Sequence, residues 1–149
     1  MKVVINAASI NFSISSEVRM TSVFQNVVGA FAEELGITTE EAYKMSAAFG
    51  GGMGLGETCG AVVGAMIVLG LKYGHCEVEH MGQKDIMNAK RAEFLQKFQE
   101  KYAVCNCKGL LKHDISKPEE MQKILDEGLL FDFCPEVVKD SITILKEIF

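Results

Sequence analysis

The five cysteines are the residues of this sequence best suited to chemistry, and two of them stand where a helix is predicted to begin. Cys59 follows a glycine-rich stretch and opens an apolar helix, and Cys134 precedes Pro135, a residue typical of a first helical turn. The unpaired N–H groups and partial positive charge of a helix N-terminus stabilise an anion. Since the thiolate is the reactive form of cysteine, both positions favour thiol chemistry. The alternative interpretation is that each cysteine is a small apolar core residue.

Two further groups of residues could bind a metal ion. Cys105 and Cys107 form a C-x-C pair that can reach one ion, although C-x-x-C is the commoner spacing in zinc and redox sites. His75, Cys76 and His80 could form a second cluster with a neighbouring glutamate. The second group has no fourth ligand at a recognisable spacing, so a solvated polar loop is its alternative interpretation.

A glycine-rich stretch precedes Cys59, with five glycines in residues 50–56. Glycine is unfavourable inside a helix or strand, so the stretch predicts a loop with unusual backbone angles or very close contacts. It contains no lysine and no G-x-x-x-x-G-K-[ST] motif, and it follows a helix, which argues against a phosphate or dinucleotide site. Gly56 and Gly60 would let a backbone approach the thiol or a bound cofactor. The alternative is a structural loop that packs two helices tightly.

Most of the chain is predicted to be helical from its hydrophobic periodicity and its capping residues. Residues 59–73 are apolar on every side, which predicts a helix that is buried all round and is ended by Gly74. Two helices are expected before the glycine-rich stretch, from about Ser16 to Gly36 and, with a capping box of Thr38 and Glu41, from Thr38 to Gly50. Four more are expected after residue 73: a long helix capped by Asp85, a short one around Leu110 and Leu111, one from Pro118 to Gly128, and one from Pro135 onward.

These elements predict an all-α fold, a compact multi-helix bundle around the buried apolar helix that follows the glycine-rich loop. A length of 149 residues is typical of one domain, so residues 1–149 are expected to form a single domain. Residues 1–15 are expected to be an irregular or strand-like extension, because Ile10, Phe12 and Ile14 alternate with polar residues. Gly60 and Gly64 give the apolar helix a small face for close backbone contact, which suggests a homodimer.

The composition argues against several classes of function. A formal charge of -5 disfavours nucleic acid or an anionic membrane surface as the partner. The longest uncharged apolar stretch, residues 59–71, is too short for a membrane span, which needs about 20 residues. No targeting signal is recognisable, so we expect a cytoplasmic protein. Cysteines in that compartment are reduced thiols, redox-active thiols or metal ligands more often than structural disulfides.

The letters CGAVVG at residues 59–64, preceded by the glycines of residues 50–56, form a specific pattern. The pattern resembles a family of redox-active proteins named for its spaced cysteines, C_GCAxxG_C_C. Cys107, followed by two leucines and an aspartate, is similar to the family's third cysteine, and Cys134 is similar to its fourth. The resemblance covers residues 22–149. Val23 stands where the family has its first cysteine, so Cys105 or Cys76 would have to complete a four-thiol set.

The resemblance implies a redox function. Three hypotheses about the cysteines remain open. In the first, Cys59 is the nucleophile of a thiol–disulfide protein, Cys107 or Cys134 resolves it into a disulfide, and a redox partner protein is implied. In the second, Cys59, Cys107 and Cys134 bind a metal ion, an iron–sulfur cluster or a haem-associated group, with Cys105 or water as the fourth ligand. In the third, the protein is a non-catalytic helical module whose cysteines belong to the core.

Overall fold

The computed structural model describes residues 25–79 and 81–149, and this part of the chain is mostly helical. It contains no β-strand, and its isolated antiparallel bridge joins Thr58 to Asn106. The helices are α1 (Gln25–Gly29), α2 (Thr39–Ser46), α3 (Gly60–Tyr73), α4 (Met81–Tyr102), α5 (Cys107–Leu111), α6 (Pro118–Asp126) and α7 (Leu129–Ile148), and a π-helical turn (Gly52–Gly56) precedes α3. The all-α prediction is confirmed. The predicted strand-like residues 10–14 and the helix start at Ser16 lie outside the described residues.

Helix α3 is the element around which the others pack. It contacts α1, α4 and α7, and it buries Ala61, Val62, Ala65, Val68 and Leu69. Burial of each larger apolar side chain contributes about 1.5–3 kcal/mol, so α3 and its partners form the core. The prediction that this helix is buried on every side is wrong for its last turn, where Leu71 and Lys72 are exposed because no described helix covers that side. Among the described residues, none of the helices combines the length and the apolar character needed to cross a bilayer.

Two helices begin where the sequence predicts. Thr38 caps α2 through a capping box, in which its Oγ1 accepts the Glu41 N–H at 3.1 Å and the Glu41 carboxylate accepts the Thr38 N–H at 2.8 Å. Pro118 is the first residue of α6. Helix α2 ends at Ser46, before the predicted end at Gly50, because the next N–H bonds three residues back, to the Lys44 carbonyl, and so tightens the last turn.

The glycine-rich stretch has the unusual backbone that its composition predicts. Gly52, Gly54 and Gly56 have φ of 61°, 71° and 71°, and Met53 between them shares the left-handed conformation with φ 61°. A Cβ on Gly52 would lie 2.4 Å from the backbone nitrogen of Glu57, and one on Gly56 would lie 2.6 Å from the Lys108 side chain. Close contacts therefore require glycine at these two positions, and the turn that they permit leads directly to the start of α3.

Two further helix boundaries, the end of α1 and the start of α4, differ from the predicted ones. Helix α1 ends at Gly29 and is followed by turns up to Gly36, whose φ of 70° is the predicted left-handed stop. A Cβ on Gly29 would lie 2.6 Å from the Tyr43 ring, so the end of α1 packs closely against α2. Helix α4 begins at Met81, so Asp85 lies inside the helix and does not cap it. The first turn of α4 is tied to α3 by the side chain of Gln83, which donates to the Tyr73 carbonyl at 2.6 Å.

The predicted start of the last helix is also wrong. Helix α7 begins at Leu129 after Gly128, whose φ is 69°, so Cys134 and Pro135 lie in its second turn. Proline has no N–H to donate and costs about 3 kcal/mol in a helix interior. The helix continues because its later turns have a long buried face, formed by Val137, Val138, Ile142, Ile144, Leu145 and Ile148.

We expect Gly52→Ala to destabilise the protein more than Gly54→Ala. Both positions have left-handed φ, which costs alanine about 1 kcal/mol. An added Cβ would meet backbone atoms at 2.4 Å on Gly52 but nothing within 4 Å on Gly54. Urea unfolding should therefore show a loss of about 1 kcal/mol for Gly54→Ala and of roughly 3 kcal/mol or more for Gly52→Ala. Equal losses for the two variants would contradict the close contact.

Candidate thiol site

A short antiparallel bridge joins the beginning of α3 to the segment that precedes α5. The Cys59 N–H donates to the Cys105 carbonyl at 2.8 Å, and the Cys107 N–H donates to the Glu57 carbonyl at 2.8 Å. Thr58 and Asn106 are the facing residues between these two bonds. Because side chains alternate along extended backbone, the residues on either side of a facing pair share one face of the bridge. The bridge therefore brings Cys59, Cys105 and Cys107 together.

Cys59 is the cap residue of α3 and is partly buried. Interaction with the Cys107 thiol and, to a smaller extent, hydrogen bonds from the N–H groups of Ala61 and Val62 lower the pKa of Cys59 to about 7, against the opposing effect of burial. These N–H groups lie in the first turn of α3, although the sulfur makes no capping hydrogen bond of regular geometry. The sequence prediction of a thiolate at a helix start agrees with this environment at Cys59.

Cys107 is the buried partner of this pair. Its hydrogen bond to Cys59 raises the pKa of Cys107 well above the ordinary range, and burial and the charge of Cys59 act in the same direction. Cys107 lies at the start of α5, a helix of five residues. The two sulfurs therefore have different roles above about pH 7: Cys59 is mostly the thiolate, and Cys107 keeps its proton.

Cys134 and Cys105 complete the group of sulfurs around this charge. Burial raises the pKa of Cys134 to about 12, with a further contribution from the Cys59 charge. Burial and the same charge also raise the pKa of Cys105. The expectation that Cys134 is a thiolate at a helix N-terminus is wrong, because its position inside α7 leaves no unpaired N–H groups beside the sulfur. Cys76 is exposed between α3 and α4.

Lys108 is a neighbour of the site that the sequence analysis did not single out. Its side chain crosses Gly56, and its ammonium lies 3.6 Å from Glu57 and 3.7 Å from Asp114. Gly56 is buried, so its missing side chain makes room for this chain's own lysine. Gly60, the other glycine considered for cofactor binding, is a buried residue of the first turn of α3. The only sequence signal for Lys108 is its place directly after Cys107.

Tyr102 is a second neighbour that the sequence analysis did not identify. It is the last residue of α4, and its hydroxyl donates to Asp140 on α7, which also pairs with Lys101 at 2.7 Å. Burial, this hydrogen bond and the charges of Asp140 and Cys59 raise the pKa of Tyr102 above its ordinary range. The Tyr102 ring contacts the Phe133 ring edge-on, with 6.1 Å between the ring centroids. Phe133 directly precedes Cys134 in the chain. Tyr102 thus joins the end of α4 to α7 next to the sulfurs.

The described residues contain no group of three or more His, Cys, Asp or Glu side chains arranged to hold a metal ion. The charge of Cys59 acts on the pKa values of Cys105, Cys107 and Cys134. His75 and Cys76 are exposed in the segment between α3 and α4. His80, the third residue of the cluster predicted there, lies outside the described residues, as does Val23.

Residues 22–148 match the model of a protein family described as "Putative redox-active protein (C_GCAxxG_C_C)". The match spans most of the chain and includes Cys59, Cys107 and Cys134. Neither the curated proteins nor the solved structures include a significant match.

Loss of the Cys107 thiol should raise the pKa of Cys59. The hydrogen bond from Cys107 is the largest influence that lowers this pKa to about 7, so Cys107→Ala should move it back toward about 8.5. The measurement is the rate of alkylation at Cys59 as a function of pH, followed by mass spectrometry of the labelled peptide. Cys76→Ala, at an exposed cysteine, is the control and should leave the profile unchanged. An unshifted profile in Cys107→Ala would show that Cys107 does not stabilise the thiolate.

The stability of the protein should pass through a maximum near pH 8. The lowered pKa of Cys59, about 7, means that between pH 7 and about 8.5 the unfolded chain binds more protons, so stability rises with pH by at most about 2 kcal/mol. Above about pH 8.5 the stability falls as the pH rises. The pKa values of Cys107 and Cys134 are raised in the folded protein, so these thiols ionise only on unfolding. Urea unfolding across pH tests this. Cys59→Ala should lose the rise, and curves parallel to wild type would contradict the assignment.

Proposed function

The chain belongs to the family of redox-active proteins with the C_GCAxxG_C_C cysteine pattern, and from this we propose that it performs thiol–disulfide exchange with Cys59 and Cys107 as the reactive pair. The observation that carries the proposal is the backbone bridge that places Cys59 and Cys107 on one face, where interaction with the Cys107 thiol lowers the pKa of Cys59 to about 7. A thiol with a pKa close to the ambient pH combines a large thiolate fraction with good nucleophilicity. Cys59 is also partly exposed, so a substrate sulfur can approach it.

The first step is attack by the Cys59 thiolate on one sulfur of a substrate disulfide. The substrate S–S bond breaks, an S–S bond forms between Cys59 and the attacked sulfur, and the other substrate sulfur leaves as a thiolate that takes a proton from water. No electrons leave the system in this step. The product is a mixed disulfide between Cys59 and the substrate.

The second step is attack by Cys107 on the Cys59 sulfur. Formation of the mixed disulfide removes the Cys59 charge, which is among the causes that raise the pKa of Cys107. Cys107 can then lose its proton more easily, and its thiolate displaces the second substrate thiol. In total the substrate disulfide gains two electrons from the protein and two protons, one from the Cys107 thiol and one from water, and the protein forms the Cys59–Cys107 disulfide. The same steps run in reverse when the oxidised protein meets a substrate dithiol.

Cys134 is the alternative resolving thiol. Its charge, when present, raises the pKa of Cys107, and burial together with the charge of Cys59 raises the pKa of Cys134 to about 12. It therefore lies within electrostatic range of both members of the pair. Cys107 is favoured over Cys134 because it interacts directly with Cys59 by a hydrogen bond, whereas Cys134 acts on the pair by charge alone.

Treatment of the reduced protein with a small disulfide should oxidise two thiols and yield a Cys59–Cys107 disulfide in a peptide map. In Cys107→Ala the reaction should stop at the mixed disulfide on Cys59, with a lifetime roughly a hundredfold longer, because the neighbouring thiol that would displace the substrate is missing. Mass spectrometry of the intact protein measures both products.

Two control variants define the outcome of this experiment. Cys76→Ala should behave as the unmodified protein, because Cys76 is an exposed thiol that no part of the proposal uses. Cys134→Ala should still form the disulfide. A stable mixed disulfide in Cys134→Ala, but not in Cys107→Ala, would transfer the resolving role to Cys134. Unreactive Cys59 in folded protein would overturn the proposed thiol–disulfide exchange.

A further inference from the structure

The extended backbone directly before Cys59 has an edge that none of the described residues pairs with. In the bridge, the Cys59 N–H and the Glu57 carbonyl point toward residues 105–107. The intervening Thr58 belongs to a facing pair without direct hydrogen bonds, so its own N–H and carbonyl point to the opposite side. Thr58 is exposed, and its two main-chain groups have no hydrogen-bond partner in the described part of the chain.

We propose that this edge binds an extended peptide segment of a protein substrate, which pairs with the main chain of Thr58 and presents its disulfide to Cys59. The inference rests on the proposed function and names its substrate class, a protein disulfide. Exposed strand edges bind extended peptides in this way, with main-chain hydrogen bonds providing affinity and neighbouring side chains providing specificity.

The register of such a complex follows from the geometry of antiparallel pairing. A substrate residue that exchanges both hydrogen bonds with Thr58 has its preceding neighbour opposite Cys59. Facing residues without direct hydrogen bonds have Cα atoms about 4.5 Å apart, which lies within the roughly 4.4–6.8 Å range of disulfide-linked residues. A cysteine at that substrate position therefore meets the Cys59 sulfur on the same face of the bridge.

The side chains next to this edge fit an apolar, uncharged peptide. Met53 and Leu55, in the turn that leads to Thr58, are 48% and 59% exposed. Met53 adopts a left-handed backbone conformation, with φ 61°, although this conformation costs a non-glycine residue about 1 kcal/mol. The charge of Lys108 is compensated by Glu57 and Asp114 at 3.6 Å and 3.7 Å, so this lysine offers little attraction to the carboxylates of a small anionic disulfide.

The test compares three activated disulfides with the reduced full-length protein. The first probe is a peptide of about eight residues with apolar residues around a central cysteine, whose sulfur is joined to thionitrobenzoate. The second is the same peptide with an N-methyl group on the residue after the cysteine, which removes the N–H that would donate to Thr58. The third is the thionitrobenzoate disulfide of cysteine alone. The measurement is the rate of thionitrobenzoate release, with the rate of Cys59→Ala subtracted.

We expect the unmodified peptide to react with Cys59 about tenfold faster than its N-methylated form, because one main-chain hydrogen bond and its geometry are lost. Thr58→Ala keeps the main chain and should keep this preference. Thr58→Pro removes the N–H of residue 58, one of the two main-chain groups of the edge, and should reduce the rate advantage of the unmodified peptide over the cysteine probe. Proline is tolerated at strand edges.

Equal rates for the two peptides would overturn the proposed peptide edge. If the cysteine probe reacts with Cys59 and the peptides have no advantage, thiol exchange stands and only the substrate class fails. If none of the three probes reacts with Cys59, the proposed function fails and this inference fails with it. Should Thr58→Pro slow every probe, the comparison of the two peptides on the unmodified protein decides.

Discussion

The two hydrogen bonds between residues 57–59 and 105–107 are the contact on which the thiol site depends. They join the start of α3 to the start of α5, although the whole of α4 separates these elements along the chain. Thiols influence each other strongly only at short range, so the interaction of Cys59 with Cys107 exists because the backbone holds the two segments together. The left-handed glycine turn on one side and the contact of Lys108 with Gly56 support this arrangement.

The second constraint is that a partly buried group of thiols cannot hold several negative charges. Each added charge would be desolvated and would be repelled by the first. Cys59 carries the charge because it combines the N–H groups of a helix start with a donor thiol, whereas Cys105, Cys107 and Cys134 have raised pKa values. This division of charge gives the proposed reaction its order, since the neutral thiol becomes a nucleophile only after Cys59 has reacted.

Helix α7 shows how burial can override a local signal. Pro135 after Cys134 is typical of a helix start, and the residues near it give no reason to expect otherwise. The helix nevertheless begins at Leu129, because the buried face of its later turns stabilises a longer helix than the local sequence indicates. Cys134 therefore lies inside α7, directly after Phe133, whose ring contacts Tyr102, and its pKa is raised mainly by burial and not set by a helix terminus.

The sequence by itself determined the all-α class, the capping box at Thr38, the left-handed glycine turn and the place of Cys59 at the start of a buried helix. These features depend on residues a few positions apart, which is the range of capping, turn chemistry and hydrophobic periodicity. Only the tertiary structure decided that Cys107 is the partner of Cys59, that Lys108 crosses Gly56, and that Tyr102 meets Asp140. Those contacts join residues distant along the chain, and they form where the burial of apolar faces brings whole helices together, which no local pattern specifies.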